Sequence, residues 1–361
     1  MPGYSASGSA SMAQVWRVHR KGPPPLTLQK DTVAIPEPKR GEVLVKVHSA
    51  AVNPVEWKIA THAPSFIQKL PRGIGTDLSG TVLATGPGLS LEQLEAFKPG
   101  TLVMGMVPVE VSLKNGQGAL STHVCVAVEQ LGAIPASLQE QLSLQDAAGL
   151  PLVGTTALAL VRRARAGDKV LVCGGSTSVG LVLLQLLKAE GAGCVVATAS
   201  GAKRDTVKAL GADEVIDFRE NDVVQTLKQN HSEVPFDLIL DTVGDFAVFR
   251  ACPYFLKESG EYANVGASDM RPNGSIWSIL TFLRNMTSIF LPWWLGGVPR
   301  KSTPGGSIRD GLPEFINKYL VDASVRCPVD STFGFEDAPK AYERLMTGRA
   351  MGKIIVNVTT P

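Results

Sequence analysis

Apolar and polar residues alternate through Gly41-Glu-Val-Leu-Val-Lys-Val-His48, the period of a strand with one face buried. From there to about Val128, short strand-like runs are separated by turns rich in Gly and Pro, which predicts a small, mostly β unit. Near Leu150 the pattern changes. Lys169-Val-Leu-Val-Cys173 reads as a short apolar strand, followed by a Gly/Ser loop and by apolar residues at helical spacing from Val179 to Glu190. Cys194–Thr198 predicts a second strand and Arg204–Leu210 a second helix; Glu214–Ile216, Phe236–Asp241 and Glu261–Val265 continue the series of strands. Strands alternating with helices imply right-handed βαβ units and a parallel sheet. Phe335–Thr347 predicts a helix, with Asp337 near its start and Gly348 just past its end, and Lys353–Val358 a final strand. The expected architecture is α/β. A doubly wound nucleotide-binding domain, 151–324, is inserted between two parts of a mostly β domain, 13–150 and 325–361.

Composition narrows this picture. The 361 residues suffice for two cores, and 44% hydrophobic with 19% charged residues suits a folded globular enzyme. A net charge of +2 without a long Lys/Arg run argues against nucleic acid as a partner. The five cysteines are scattered, without a Cys-x-x-Cys pair, which points to a reducing compartment rather than a disulfide framework. Met1 to Met12 lack the apolar core of a secretory signal and the arginines of a mitochondrial one, so the expectation is a disordered cap on a cytoplasmic protein.

The loop Gly174-Gly-Ser-Thr-Ser-Val-Gly180 lies between a predicted strand and a predicted helix. In that context the backbone N–H groups of the helix N-terminus face a pyrophosphate, and the glycines permit close approach. The alternative is a tight turn with no ligand. Cofactor choice is read about twenty residues further on, where an NAD enzyme places an acid on the ribose hydroxyls. Here the chain runs Thr198-Ala-Ser-Gly-Ala-Lys203-Arg204, with no acid before Asp205. Ser200 can donate to a 2′-phosphate and Lys203 can neutralise it, so NADPH is expected. Cations at a helix start otherwise oppose its dipole.

Taken together these residues resemble the zinc-independent quinone oxidoreductase branch of the medium-chain dehydrogenase/reductase superfamily. The resemblance runs from about Gly41 to Val358 through Asn53-Pro-Val-Glu-Trp-Lys58, Gly75-Thr-Asp-Leu-Ser-Gly80, Phe97-Lys-Pro-Gly100, Ala147-Ala-Gly-Leu-Pro151, Gly154-Thr-Thr156, Gly211-Ala-Asp213 and Gly352-Lys353. The glycine-rich loop is most similar to fungal members, including trans-acting enoyl reductases that serve polyketide synthases. The resemblance implies a GroES-like domain plus a Rossmann domain with NADPH in the cleft between them. It implies that Gly174, Ser176, Thr177, Ser178, Val179, Ser200, Lys203 and Phe218 line the cofactor site, with Asn53, Gly266 and Lys353 nearby. Many relatives carry glycines at Thr177 and Ser178 and a Tyr at Phe218. The two hydroxyls can contact phosphate, yet they also crowd the turn.

Zinc alcohol dehydrogenases of this superfamily use a Cys, a Gly-His-Glu motif and a four-Cys lobe. Asn53 stands where the Cys is expected, Gly75-Thr76-Asp77 replaces Gly-His-Glu, and the lobe is missing, so no metal site is expected. Hydride addition to an enone or enoyl thioester builds an enolate that needs hydrogen-bond donors and then a proton. By resemblance, Lys58 is the expected catalytic cation; the alternative is a surface lysine lying along Trp57. Thr156 either positions a carbonyl or cofactor amide, or serves as a helix N-cap. The expected activity is NADPH-dependent reduction of an activated C=C bond or a quinone, on a small apolar or acyl substrate. The alternative is a non-catalytic NADPH-binding or membrane-associated adaptor. A homodimer or a synthase partner is compatible with either.

One segment stands apart. Residues 276–295 approach the length of a membrane span, but Arg284 and Asn285 sit near the centre and Pro292 interrupts the run. The favoured expectation is an apolar wall over the substrate cleft, carried by Trp277 and Phe282. The second is a patch that docks on a lipid surface or a second subunit.

Overall fold

The computed structural model describes residues 12–270, 272, 275–306 and 311–359. Apart from Met12, which opens a strand, the expected N-terminal cap lies outside the described residues.

Two sheets organise the chain. A six-stranded, fully parallel sheet has the order Glu214–Asp217, Cys194–Ala199, Lys169–Cys173, Phe236–Asp241, Leu256–Asn264, Lys301–Pro304. Its central strands are buried on both faces, hence the unbroken apolar runs in the sequence. Helix Ser178–Ala189 and the apolar helix Pro151–Val161 pack on it, contributing Leu183, Leu184, Leu158 and Leu160 to one core.

The second sheet has the order Val329–Gly334, Lys353–Asn357, Glu42–Val52, Asp77–Thr85, Leu102–Met106, Leu131–Ala133, and His123–Ala127 pairs with Glu42–Val52. It therefore joins the early part of the chain to its end. Its separate core is built on Val43, Val45, Val47, Leu78 and Ile354. A three-stranded sheet of Leu28–Ala34, Met12–Val18 and Arg72–Gly73 flanks it.

The expected strand at Glu261–Val265 starts earlier, at Leu256, because the polar run Lys257-Glu-Ser-Gly260 conceals the alternation. The strand Lys301–Pro304 was not expected at all. It lies at a sheet edge, where polar residues and a Pro are tolerated. No helix among the described residues is long and apolar enough to cross a membrane.

Candidate functional site

A cavity of about 780 Å3 is walled by both units. From the parallel sheet come Thr177–Val179, Thr242, Val243, Val265–Ala267 and Gly305, each just beyond the C-terminal end of a strand. Ligands of open α/β sheets bind at those ends. The mostly β unit supplies Asn53, Lys58, Thr76, Met106, Gln130 and Lys353, and Phe282 and Met270 come from the segment after the fifth strand.

The glycine-rich loop is shaped by sterics. Gly174 has φ +81°, and a Cβ there would meet Val243 Cγ2 at 2.3 Å. At Gly266 a Cβ would lie 1.9 Å from the Val243 carbonyl carbon, so two strand ends pass backbone to backbone beside the cavity. The hydroxyls at Thr177 and Ser178 are both engaged. Thr177 Oγ1 caps helix Ser178–Ala189 by accepting the Gly180 N–H at 3.0 Å, and Ser178 Oγ donates to the Gly352 carbonyl at 2.8 Å. They thereby leave the turn intact and tie it to the other unit. Backbone N–H groups of the first helical turn remain to hold an anionic ligand, so the loop fits a dinucleotide.

Ser200, Lys203 and Phe218 form a second cluster, outside the cavity wall, at the ends of strands Cys194–Ala199 and Glu214–Asp217. The Phe218 N–H donates to the Ala199 carbonyl, which sets its half-exposed ring beside the buried Ser200. Lys203 Nζ donates to the Ala350 carbonyl at 3.1 Å, reaching the loop 348–352 that borders the cavity. Burial lowers its pKa; Asp330 opposes this, while the Arg219 and Arg344 guanidinia add to it. Arg344 is paired with Asp330 at 2.7 Å, which leaves Arg219 as a second cation facing this corner. Sequence reasoning missed Arg219, which lies in the turn after strand Glu214–Asp217, next to the strand whose end reads the ribose.

Lys58 lies on helix Pro54–His62, which begins with Pro54 in its first turn. Its ammonium lines the cavity and donates to the Ala267 carbonyl at 2.7 Å, bridging the two units. Trp57 is 5.8 Å away, yet the side chain runs inward rather than along the surface. Burial pulls the Lys58 pKa down to about 8, against the opposing charge of Asp269. Thr156 lies inside helix Pro151–Val161 and lines the same cavity. The N-cap alternative for Thr156 is thereby corrected: Pro151 occupies the first turn, so Thr156 is one turn too late to cap.

Lys353 and Asn53 line the cavity floor but are committed to one another. Lys353 Nζ donates to Asn53 Oδ1 at 2.6 Å and to Asp77 Oδ2 at 2.8 Å. Asn53 Nδ2 donates to Asp77 Oδ2 at 2.9 Å, and Asp77 Oδ1 accepts the Leu152 N–H at 2.9 Å, capping helix Pro151–Val161 from the other unit. Glu56 accepts the Thr76 N–H at 2.7 Å and the Tyr342 hydroxyl. Burial pushes the Glu56 carboxyl above the usual range in spite of those two donors. The three positions where the resemblance expects zinc ligands thus carry an amide, a hydroxyl and a carboxylate, and Asn53 and Asp77 hold an ammonium. A zinc ion does not fit this set. Among the described residues no group of three or more His, Cys, Asp and Glu could hold a metal ion.

The segment 276–295 divides between its two expected roles. Helix Ile276–Ser288 puts Phe282 into the cavity wall. Trp277, expected beside it, points away and is 74% exposed, because residues five apart lie on different faces of a helix. Phe282→Ala is expected to raise KM for apolar substrates roughly fivefold or more while small polar ones are unaffected, measured by steady-state kinetics. Sequence reasoning also missed Thr242 and Val243. Their signal was Asp241, a buried acid at a strand end whose carboxylate accepts the N–H groups of Val243, Gly244 and Asp245.

Residues 39–136 match the alcohol dehydrogenase GroES-like domain and residues 210–356 a zinc-binding dehydrogenase domain. The chain is 33% identical to the trans-enoyl reductase pgmF of Aspergillus terreus over 88% of this chain and 86% of that one. It is 30% identical to the trans-enoyl reductase poxH of Penicillium oxalicum, over 96% of this chain and 97% of that one. The Escherichia coli quinone oxidoreductase solved with NADPH shares the fold, with a TM-score of 0.75 at 23% identity over 95% of this chain and 99% of that one.

Proposed function

We propose that this chain, an oxidoreductase that belongs to the medium-chain dehydrogenase/reductase superfamily, takes NADPH and reduces an activated C=C bond of an apolar enone or enoyl thioester without zinc. The observation that carries this reading is the Lys58 ammonium, held in the cavity at the strand ends with its pKa drawn to about 8. The enoyl substrate class is supported by relatives whose names are trans-enoyl reductase, and by the apolar side chains Met106, Val109, Met270 and Phe282 in the cavity wall.

NADPH, when bound, would supply the hydride for the β-carbon. One Lys58 N–H is committed to Ala267, which fixes the ammonium and leaves two donors for the carbonyl oxygen on which negative charge develops. The same group can then release a proton toward the enolate, a transfer favoured by a pKa close to the working pH. Thr156 offers a buried hydroxyl in the same cavity to orient the carbonyl or the cofactor amide. Gly266 lets its own backbone pack against that of Val243, and both line the cavity. The Lys353–Asp77–Asn53 group holds the floor of the cavity rigid.

NADPH rather than NADH follows from Ser200, Lys203 and Arg219 at one corner, a hydroxyl and two cations that suit a 2′-phosphate. Lys203→Glu is expected to weaken NADPH binding by about 1–3 kcal/mol, roughly 5- to 150-fold, with little change for NADH. Isothermal titration with both cofactors checks this, and equal affinities in the native protein contradict it.

The deciding experiment follows NADPH oxidation against a panel of enones, enoyl thioesters and quinones in chelator-treated buffer. Turnover is expected for the first two classes and to survive the chelator. NADPH binding with no turnover on any member would identify a non-catalytic adaptor. Loss of activity with the chelator, restored by zinc, would overturn the metal-free mechanism.

A further inference from the structure

Eight of the nineteen exposed large apolar side chains of the described residues fall between Trp277 and Leu295. Trp277, Leu280 and Leu283 follow one outward stripe of helix Ile276–Ser288, and Phe290, Leu291, Trp293, Trp294 and Leu295 continue it beyond the helix end. Three of the five tryptophans are here, each about two-thirds exposed or more, whereas Trp16 and Trp57 are buried. Four exposed aromatic rings alone present on the order of 600 Å2, as large as the biggest apolar patch on an ordinary monomer. The opposite side of the helix is occupied: Asn285 binds Arg250 and Asp269, and Ser288 and Ile289 are buried.

Charge around this face is one-sided. No Asp or Glu occurs between Asp269 and Asp310. Arg284 is exposed within the apolar stripe, and the half-buried Arg300 follows the tryptophans in the chain. Lys301 is matched by Glu261, and Asp269 is turned to Asn285 and through it toward Arg250, so among the described residues the charge on this face without an acidic partner rests on Arg284 and Arg300. Two copies pairing by this face about a two-fold axis would set arginine against arginine. The helix of 13 residues is too short to span a bilayer and suits an orientation in its surface plane. Indole rings favour the water–hydrocarbon boundary, and arginines favour anionic headgroups.

We infer that the face formed by Trp277, Leu280, Leu283, Arg284, Trp293 and Trp294 docks on the surface of an anionic phospholipid bilayer. Docking would place the inner side of the same helix, with Phe282, within reach of apolar molecules dissolved in that bilayer. The inference stands on exposure and charge and does not depend on the reaction proposed above.

The test is flotation of the full chain with vesicles of phosphatidylcholine alone, or of phosphatidylcholine and phosphatidylserine in equal parts, alongside light scattering of the free protein. The native protein is expected to float with the anionic vesicles and to be released at high salt. Arg284→Glu should lower the bound fraction at least about fivefold, and the pair Trp293→Ser and Trp294→Ser about tenfold or more. None of these residues lines the cavity, so turnover of a small water-soluble enone should remain at the native level in each variant. Absence of flotation with either vesicle overturns the inference, as does flotation that ignores the tryptophan exchange. A native dimer that the tryptophan pair converts to monomer, without flotation, would show that a second copy covers this face instead.

Discussion

Exchange of Lys58 for methionine is expected to lower turnover about a hundredfold while NADPH affinity stays within about twofold, the size of effect that follows loss of one donor to a developing oxyanion. Methionine keeps most of the length and apolar stem and removes the charge. The Ala267 carbonyl loses a donor as well, but it lies at the cavity wall rather than in a core. Burial lowers the Lys58 pKa to about 8, so the ammonium is the main form below that pH and disappears above it. The native protein should therefore show kcat/KM falling above about pH 8, by about tenfold per pH unit once the proton is largely lost, and the methionine variant should lack that limb. For stability the sign is opposite. The folded pKa lies below the ordinary lysine value, so the unfolded chain binds the extra proton between the two, and burial of this group costs least at high pH. Unaltered turnover in the variant on the best substrate would make Lys58 a bystander.

Lys353→Met is expected to destabilise the protein by about 3–5 kcal/mol, the range for breaking a buried ion pair from one side. Asp77 and Lys353 are both essentially inaccessible to solvent. Without the ammonium, the Asp77 carboxylate keeps only the N–H groups of Asn53 and Leu152 to offset its charge. Because Asp77 also caps helix Pro151–Val161 and Lys353 begins the strand that joins Val329–Gly334 to Glu42–Val52, the loss reaches both units. Denaturant titration at neutral pH should show the lowered midpoint. Lys353→Arg should restore part of it, since it returns the charge in a bulkier form. A midpoint within about 0.5 kcal/mol of the native value would mean that the network is not a structural lock.

The same residues show where the sequence stops informing. Asn53, Thr76 and Asp77 were legible as replacements for zinc ligands, because ligand chemistry is a property of residue type. Lys353 was legible as a residue near the cofactor by resemblance. That these four sites meet in one buried network was not legible, since the partners are separated by up to 300 positions and meet through strand pairing. Lys58 shows the same division: its place after Asn-Pro suggested a cation near the cleft, while the choice between wall and surface needed the Ala267 contact. Thr156 was misplaced as a candidate cap because helix Pro151–Val161 begins earlier than the turn pattern suggests.

By itself the sequence determined the α/β class, the parallel order of strands and helices, and the glycine-rich turn with its hydroxyl and cation at the next strand end. These are local matters: side-chain periodicity, steric demand at a turn, and charge at a helix start act over a few residues. The tertiary structure decided the rest. It showed the polar edge strand Lys301–Pro304, whose backbone pairing needs no apolar pattern, and it brought Arg219 to the Lys203 corner. It turned Phe282 into the cavity and Trp277 out of it, although both are large, apolar and on one helix. A helix face is assigned by what packs against it, and the Asn285 contacts with Arg250 and Asp269 fix this helix's rotation through residues distant in sequence.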